Sequence, residues 1–148
     1  MVVGLVGCGR WGQHILRDLV TLGCEVPVVA RSQESRARAE GGGARELVGD
    51  IASLPRVDGV VVATPTSTHA AVVEEALELG VPIYCEKPLC DDPAAAERLA
   101  ESGAGRLFVM DKWRYHPGVQ ELAAIARDGR LGSVSGLRTV REIGRAHV

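Results

Sequence analysis

The first twelve residues constrain this chain more than any other stretch. Val2 to Val6 is a short apolar run, and Gly7-Cys8-Gly9-Arg10-Trp11-Gly12 follows it directly. From Trp11 to Leu22 the apolar residues Ile15, Leu16, Leu19, Val20 and Leu22 recur at helical spacing, and Gly23 stops the pattern. A G-x-G-x-x-G loop between a strand and a helix has the geometry to hold a pyrophosphate. Gly7 allows the tight turn, Gly9 lets the backbone approach the phosphates, and Gly12 lets the helix pack closely on the strand. The helix N-terminus adds free N–H groups and a partial positive charge. A plain βα turn is the competing reading, and the flanking strand and helix weigh against it.

The rest of the chain repeats the same alternation. Strands are expected at Cys24 to Ala30, Arg45 to Val48, Val57 to Thr64, Val81 to Cys85 and Arg106 to Asp111. Pro27 is out of place inside the second of the strands, because it removes a ladder hydrogen bond. Helices are expected at Ser32 to Ala39, Thr68 to Leu79, Pro93 to Ser102 and Pro117 to Arg127, with a short segment at Ile51 to Leu54. Asp92 is an N-cap candidate ahead of Pro93. Alternating strands and helices predict an α/β fold with a doubly wound parallel sheet of the Rossmann kind. That domain spans residues 1–130. Residues 131–148 carry a last alternating segment, Val134 to Ile143, which reads as the first strand of a further domain.

Composition narrows the function classes. The 148 residues are 46% hydrophobic and 24% charged, as in an ordinary soluble domain. The net charge of -2 implies no basic face, so nucleic acid is not an expected partner. Apolar runs such as Val60 to Ala63 fall far short of the ~20 residues of a membrane span. No charged leader or cleavage site precedes the glycine loop, so a cytoplasmic protein without membrane attachment is expected. Cys8, Cys24, Cys85 and Cys90 form no C-x-x-C pair, which reads as reduced core cysteines and no metal site.

The second strand carries the choice of nucleotide. An acid usually stands ~20 residues beyond the glycine loop to bind ribose hydroxyls. Here Val29-Ala30-Arg31-Ser32 offers a guanidinium and a hydroxyl instead. Both suit a 2′-phosphate, by charge and by forked hydrogen bonding, which favours NADP(H) over NAD(H). The alternative is that Arg31 is a solvated surface residue.

Two more motifs fall at carboxyl ends of strands, where ligands bind in open α/β sheets. One is Ala63-Thr64-Pro65-Thr66-Ser67-Thr68-His69 and the other is Cys85-Glu86-Lys87-Pro88-Leu89. With the glycine loop, they resemble the N-terminal domain of the glucose–fructose oxidoreductase and inositol dehydrogenase family (Gfo/Idh/MocA). That family carries a strand–glycine loop, a TP-x-x-x-H element and an EKP triplet in this order, and the resemblance covers nearly the whole chain. It implies a nicotinamide-dependent oxidoreductase moving hydride to or from a sugar, polyol or related small carbonyl compound.

Carried over, the resemblance places Arg10 and Trp11 of the loop at the cofactor with its glycines. Thr64, Pro65 and Thr66 would line the cofactor pocket, with His69 nearby. Glu86 would meet the nicotinamide-side ribose. Lys87 would be the catalytic residue, polarising a carbonyl or steadying an alkoxide as a fixed charge in a dry site. Lys112-Trp113-Arg114-Tyr115-His116-Pro117 resembles the family's arginine-containing loop, so Trp113 and Arg114 would flank the nicotinamide. His14 reads as structural.

The family also has a second domain, which closes over the substrate and carries a catalytic histidine in an Asp-x-x-x-His pattern. No such pattern occurs here, and His147 has no acid at that spacing. Three readings stay open. The chain is a fragment or a split enzyme whose substrate domain a separate chain supplies, or it is a complete short reductase closed by a homo-oligomer. Or it binds a dinucleotide without catalysis, as a sensor or subunit.

Overall fold

A computed structural model of the chain describes residues 1–138 and Val140. It divides into two compact units, Met1–Asp111 and one beginning at Lys112. The strands of the first unit are β1 (Val3–Val6), β2 (Pro27–Val29), β3 (Glu46–Val48), β4 (Gly59–Val62), β5 (Ile83–Cys85) and β6 (Leu107–Val109). Its helices are α1 (Gly12–Thr21), α2 (Gln33–Gly41), α3 (Thr66–Leu77) and α4 (Pro93–Ser102). The six strands lie in the order β3-β2-β1-β4-β5-β6, every neighbouring pair parallel. This is the doubly wound Rossmann sheet, and strand order reverses between β1 and β4.

Successive strand residues face opposite sides, and both sides are covered over the central strands. On one face Val6, Val60, Val62, Ile83 and Cys85 pack with Val73 and Ala76 of α3 and Leu99 of α4. On the other, Leu5, Val28 and Val61 pack with Leu16 of α1 and Ala39 of α2. Complete burial stabilises by roughly 1.5–3 kcal/mol for each such Leu or Ile. Val therefore runs almost unbroken through β4, because both of its faces are core. On the face of Val61, Tyr84 and Phe108 pair across β5 and β6, ring centroids 5.1 Å apart, and both remain exposed.

The strands are shorter than the apolar runs that announce them. β2 starts at Pro27 rather than Cys24, and only an isolated Val2–Glu25 bridge precedes it. Pro27 thus sits at the first strand position, where a missing N–H is tolerated. The segment at Ile51 is a turn, whose one buried apolar anchor is Ile51 itself. α3 begins two residues before the expected Thr68, since Pro65 fixes the backbone at its N-cap. At the end of α1, Gly23 adopts φ +79° while the Cys24 N–H reaches the Leu19 carbonyl and the Gly23 N–H that of Val20. This is a Schellman stop, and it needs glycine.

The second unit holds a 3₁₀ turn (Lys112–Tyr115) and α5 (Pro117–Arg127). Within it, residues 134–138 and 140 carry no strand, and the remainder of the expected Val134 to Ile143 strand lies outside the described residues.

Candidate functional site

The reversal between β1 and β4 opens a crevice at their carboxyl ends. The loops after β1, β2 and β4 line a cavity of about 420 Å³ there. Its floor is apolar, with Val6, Val29 and Ile51. Its rim is polar, with the glycine loop on one side and Arg31, Ser32, Glu34, Ser35 and Arg38 on another.

Each glycine of the loop has a separate physical reason. Gly7 has φ +93°, and a Cβ there would stand 2.9 Å from Thr64 Cγ2. A Cβ on Gly12 would stand 2.3 Å from the Gly7 carbonyl oxygen, so only glycine lets α1 start this close to β1. At Gly9 a Cβ would meet nothing within 4 Å, so the backbone faces open space. Among the described residues the N–H groups of Gly9, Arg10 and Trp11 donate to nothing. Unpaired backbone donors at a helix start, beside a cavity, fit a phosphate group. The Cys8 N–H is committed elsewhere, donating to Ser35 Oγ at 3.2 Å and tying the loop to α2. Burial pushes the Cys8 thiol above its ordinary value, and the Arg38 guanidinium pulls partly the other way.

The adenosine corner is built by the start of α2. Ser32 is its N-cap, and its hydroxyl accepts from the Ser35 N–H at 3.1 Å. Arg31 is exposed, and its Nε donates to the Gly49 carbonyl at 3.4 Å. Asp50 lies within reach of that charge. Its carboxyl is held below the usual range, first by hydrogen bonds from Ser53 and then by Arg31. Arg38 forms an ion pair with Glu34. Glu34, Ser35 and Arg38 were not among the sequence-predicted site residues. The signal was present, since three to four residues make a helical turn and these follow Ser32 on one face.

The loop after β4 brings in Thr64 and Pro65, both lining the cavity. Thr66 opens α3, half-buried and away from the cavity lining. Thr68 Oγ1 donates to the Pro65 carbonyl at 2.8 Å and lies 2.9 Å from Thr64 Oγ1, whose hydroxyl it can accept. His69 does not line the cavity. It is buried, with Nδ1 2.8 Å from the Pro88 carbonyl oxygen and Nε2 2.8 Å from that of Thr64.

After β5, Glu86 accepts the Trp11 indole N–H on one carboxylate oxygen. Its other oxygen accepts the Lys87 N–H at 3.2 Å. This contact joins the loops after β1 and β5, and no local pattern announces it. Lys87 is exposed, and its bond to Pro88 is cis. Cys85 beneath it is buried, and desolvation pushes its thiol up to about 12. Arg10 and Trp11 are exposed, and Gln13 Nε2 donates to the Arg10 carbonyl at 3.0 Å. His14 is exposed and meets the Trp11 ring edge-on at 5.9 Å.

Trp113 and Arg114 belong to the second unit, in its 3₁₀ turn, and both side chains are exposed. The Trp113 ring lies 5.5 Å from that of His116, and Lys112 Nζ is 5.3 Å from the Trp113 centroid. Among the described residues no group of three or more His, Cys, Asp or Glu is placed to hold a metal. None of their helices is long and apolar enough to cross a membrane.

Comparison with known proteins agrees with this geometry. The sequence model of the Gfo/Idh/MocA family, an oxidoreductase family with an NAD-binding Rossmann fold, matches residues 1–107. The chain is 36% identical over 140 residues to the rhizopine catabolism protein MocA of Rhizobium meliloti, covering 89% of this chain and 44% of that protein. Its structure is similar to myo-inositol dehydrogenase from Lactobacillus casei in complex with NAD(H) and myo-inositol. The TM-score is 0.79 at 25% identity, over 89% of this chain and 42% of that one. It is also similar to a 3-ketoreductase from Actinomadura kijaniata in complex with NADP. There the TM-score is 0.71 at 28% identity, over 89% and 45% of the two chains. The chain thus spans less than half the length of these relatives. With its loops, its strand order and its match over most of its length, the chain belongs to the Gfo/Idh/MocA family of NAD(P)-binding oxidoreductases.

Proposed function

We propose that this chain is the nucleotide-binding part of an oxidoreductase that prefers NADP(H) and acts on a sugar, polyol or related small carbonyl compound. One observation carries the cofactor preference. Arg31 and Ser32 line the same cavity as the glycine loop, and no carboxylate ends β2. Relatives with either nucleotide exist, NAD(H) in the inositol dehydrogenase and NADP in the ketoreductase, so the choice turns on these residues.

The free N–H groups of Gly9, Arg10 and Trp11 would hold the pyrophosphate, and Thr64 and Pro65 would border the cofactor. Glu86 would exchange its Trp11 partner for a ribose hydroxyl. When bound, the nicotinamide gives or takes the hydride. The Lys87 ammonium would then stabilise negative charge on the substrate oxygen.

The substrate side would be completed by an oligomer or a second chain. Light scattering on the purified chain tests it, and a clean monomer would count against it. The alternative is a subunit that binds dinucleotide without turnover, which turnover of NADPH with a carbonyl substrate would exclude.

Titration calorimetry with NADPH and NADH tests the cofactor reading. A hydrogen bond to a charged group contributes about 1.5–3 kcal/mol, so NADPH should bind roughly 10- to 100-fold tighter than NADH. Arg31→Asp should erase or reverse the difference. Equal affinities in the parent chain would overturn the preference.

A further inference from the structure

We propose that His69 is a positioning residue, an imidazolium clamp whose two N–H groups join the loop after β4 to the loop that carries Lys87. Both ring nitrogens face main-chain carbonyl oxygens at 2.8 Å, of Thr64 on one side and Pro88 on the other. A carbonyl oxygen only accepts, and a neutral imidazole has only one N–H to donate. In either neutral tautomer one nitrogen lone pair would therefore point at an oxygen lone pair. The imidazolium alone makes both bonds, each charge-assisted and hence among the stronger hydrogen bonds of a protein.

The surroundings leave that role to the two carbonyls. The loop after β4 brings no titratable group within Thr64-Pro65-Thr66. On the other loop, Glu86 is engaged by Trp11 and by the Lys87 N–H, and Lys87 is exposed. Cys85 of β5 keeps its proton, and the Cys90 thiol donates a hydrogen bond to the Asp92 carbonyl. Asp92 caps α4 through the Ala94 N–H, while Glu97 and Arg98 of α4 and Glu74 and Glu75 of α3 are exposed. Among the described residues no carboxylate forms an ion pair with the ring. The clamp therefore carries both bonds only while the ring is protonated. It loses one of them when the ring loses its proton, so it couples the two loops in a pH-dependent way.

The consequence for Lys87 rests on the cofactor reading above; the clamp itself does not. The test is a long-range 1H–15N spectrum of the full chain, labelled at its four histidines and followed across pH. Substituting each of the other three assigns the His69 signals without altering His69. The expected result is a His69 ring with both nitrogens protonated, with the Thr66, Lys87 and Leu89 amide signals shifting along the same titration. A ring that keeps one bare nitrogen at every pH, or loop amides that ignore its titration, would overturn the proposal. In a second arm, NADPH affinity is followed over the same range for the parent chain and for His69→Gln, whose side chain does not titrate. As the ring deprotonates, the parent chain should lose about tenfold more affinity than His69→Gln loses, the worth of one charge-assisted bond. Identical profiles would overturn the link to the cofactor loops. The 2′-phosphate's own titration is common to both proteins and cancels. A protein that shows the doubly protonated ring but binds neither nucleotide upholds the clamp and removes the cofactor reading.

Discussion

Gly12 and Gly9 stand in one loop and should fail in opposite ways when each becomes alanine. At Gly12 the new methyl carbon would lie 2.3 Å from the Gly7 carbonyl oxygen and 3.1 Å from its carbon. The obstacle is backbone, fixed by the Gly7 N–H bond to the Val29 carbonyl at 3.0 Å, and cannot rotate aside. α1 must move away from β1 by about an ångström, and overpacking of this kind costs about 1–3 kcal/mol. Alanine recovers up to about 1 kcal/mol in helix propensity, because Gly12 is the first residue of α1. A net loss of about 1 kcal/mol remains, or a fall of roughly 2–4 °C in Tm for a domain of this size. At Gly9 the methyl meets nothing and φ is not positive, so stability should change by less than about 0.5 kcal/mol. The methyl would, however, fill the space a pyrophosphate needs. Thermal unfolding by circular dichroism, with NADPH calorimetry on the same samples, separates the two effects. Gly12→Ala should melt early. Gly9→Ala should melt like the parent and bind NADPH at least tenfold more weakly. A Gly9→Ala protein with parental affinity would refute the assignment of the loop to phosphate. A Gly12→Ala protein with parental Tm would refute the steric argument.

Two further outcomes follow from the core. Leu16 is fully buried between α1 and the sheet, so Leu16→Ala should cost about 2–5 kcal/mol in urea unfolding. Cys85 gives a signed pH effect. Its folded thiol is pushed up to about 12, whereas in the unfolded chain it ionises near the usual 8.5. Above about 8.5 the folded state therefore binds more protons than the unfolded state, and stability falls as pH rises towards 12. The contribution is intact below about 8.5, and Cys85→Ala should flatten that alkaline decline relative to the parent.

Some of this fold is legible from local chemistry because the signals are local. α4 begins where Asp92 and Pro93 say it should, with the Asp92 carboxylate accepting from the Ala94 N–H at 3.1 Å. α5 begins at Pro117 and ends at Arg127, ahead of the Asp128-Gly129 stop. Strand ends are not legible in this way. A strand ends where its neighbour stops supplying hydrogen bonds, so β2 and β3, pairing three residues each, cut the run from Cys24 to Ala30 down to Pro27–Val29. The same contrast governs the site. The roles of Gly7 and Gly12 follow from sequence context, and the structure adds the distances that enforce them. The Trp11–Glu86 bond joins residues 75 positions apart, and the turn of His69 away from the cavity depends on the Pro88 carbonyl of another loop. No periodicity encodes either.

Charge balance at the adenosine corner is the point where summed composition misleads most. The chain's net charge of -2 is silent about a corner holding two guanidiniums, Arg31 and Arg38, beside two carboxylates, Asp50 and Glu34. Arg38 is already paired with Glu34, and Arg31 bonds only a carbonyl oxygen while facing Asp50. A 2′-phosphate would bring about two negative charges into this balance. Arg31 is the cation with the least to give up, so most of the discrimination should rest on it. Arg31→Asp would do more than remove one contact. It would leave three carboxylates and one guanidinium around the site, a field that repels phosphate and still offers acceptors to a ribose hydroxyl. A reversal of preference towards NADH, rather than equal weak binding of both nucleotides, is therefore the sharper sign that this corner selects the cofactor by charge.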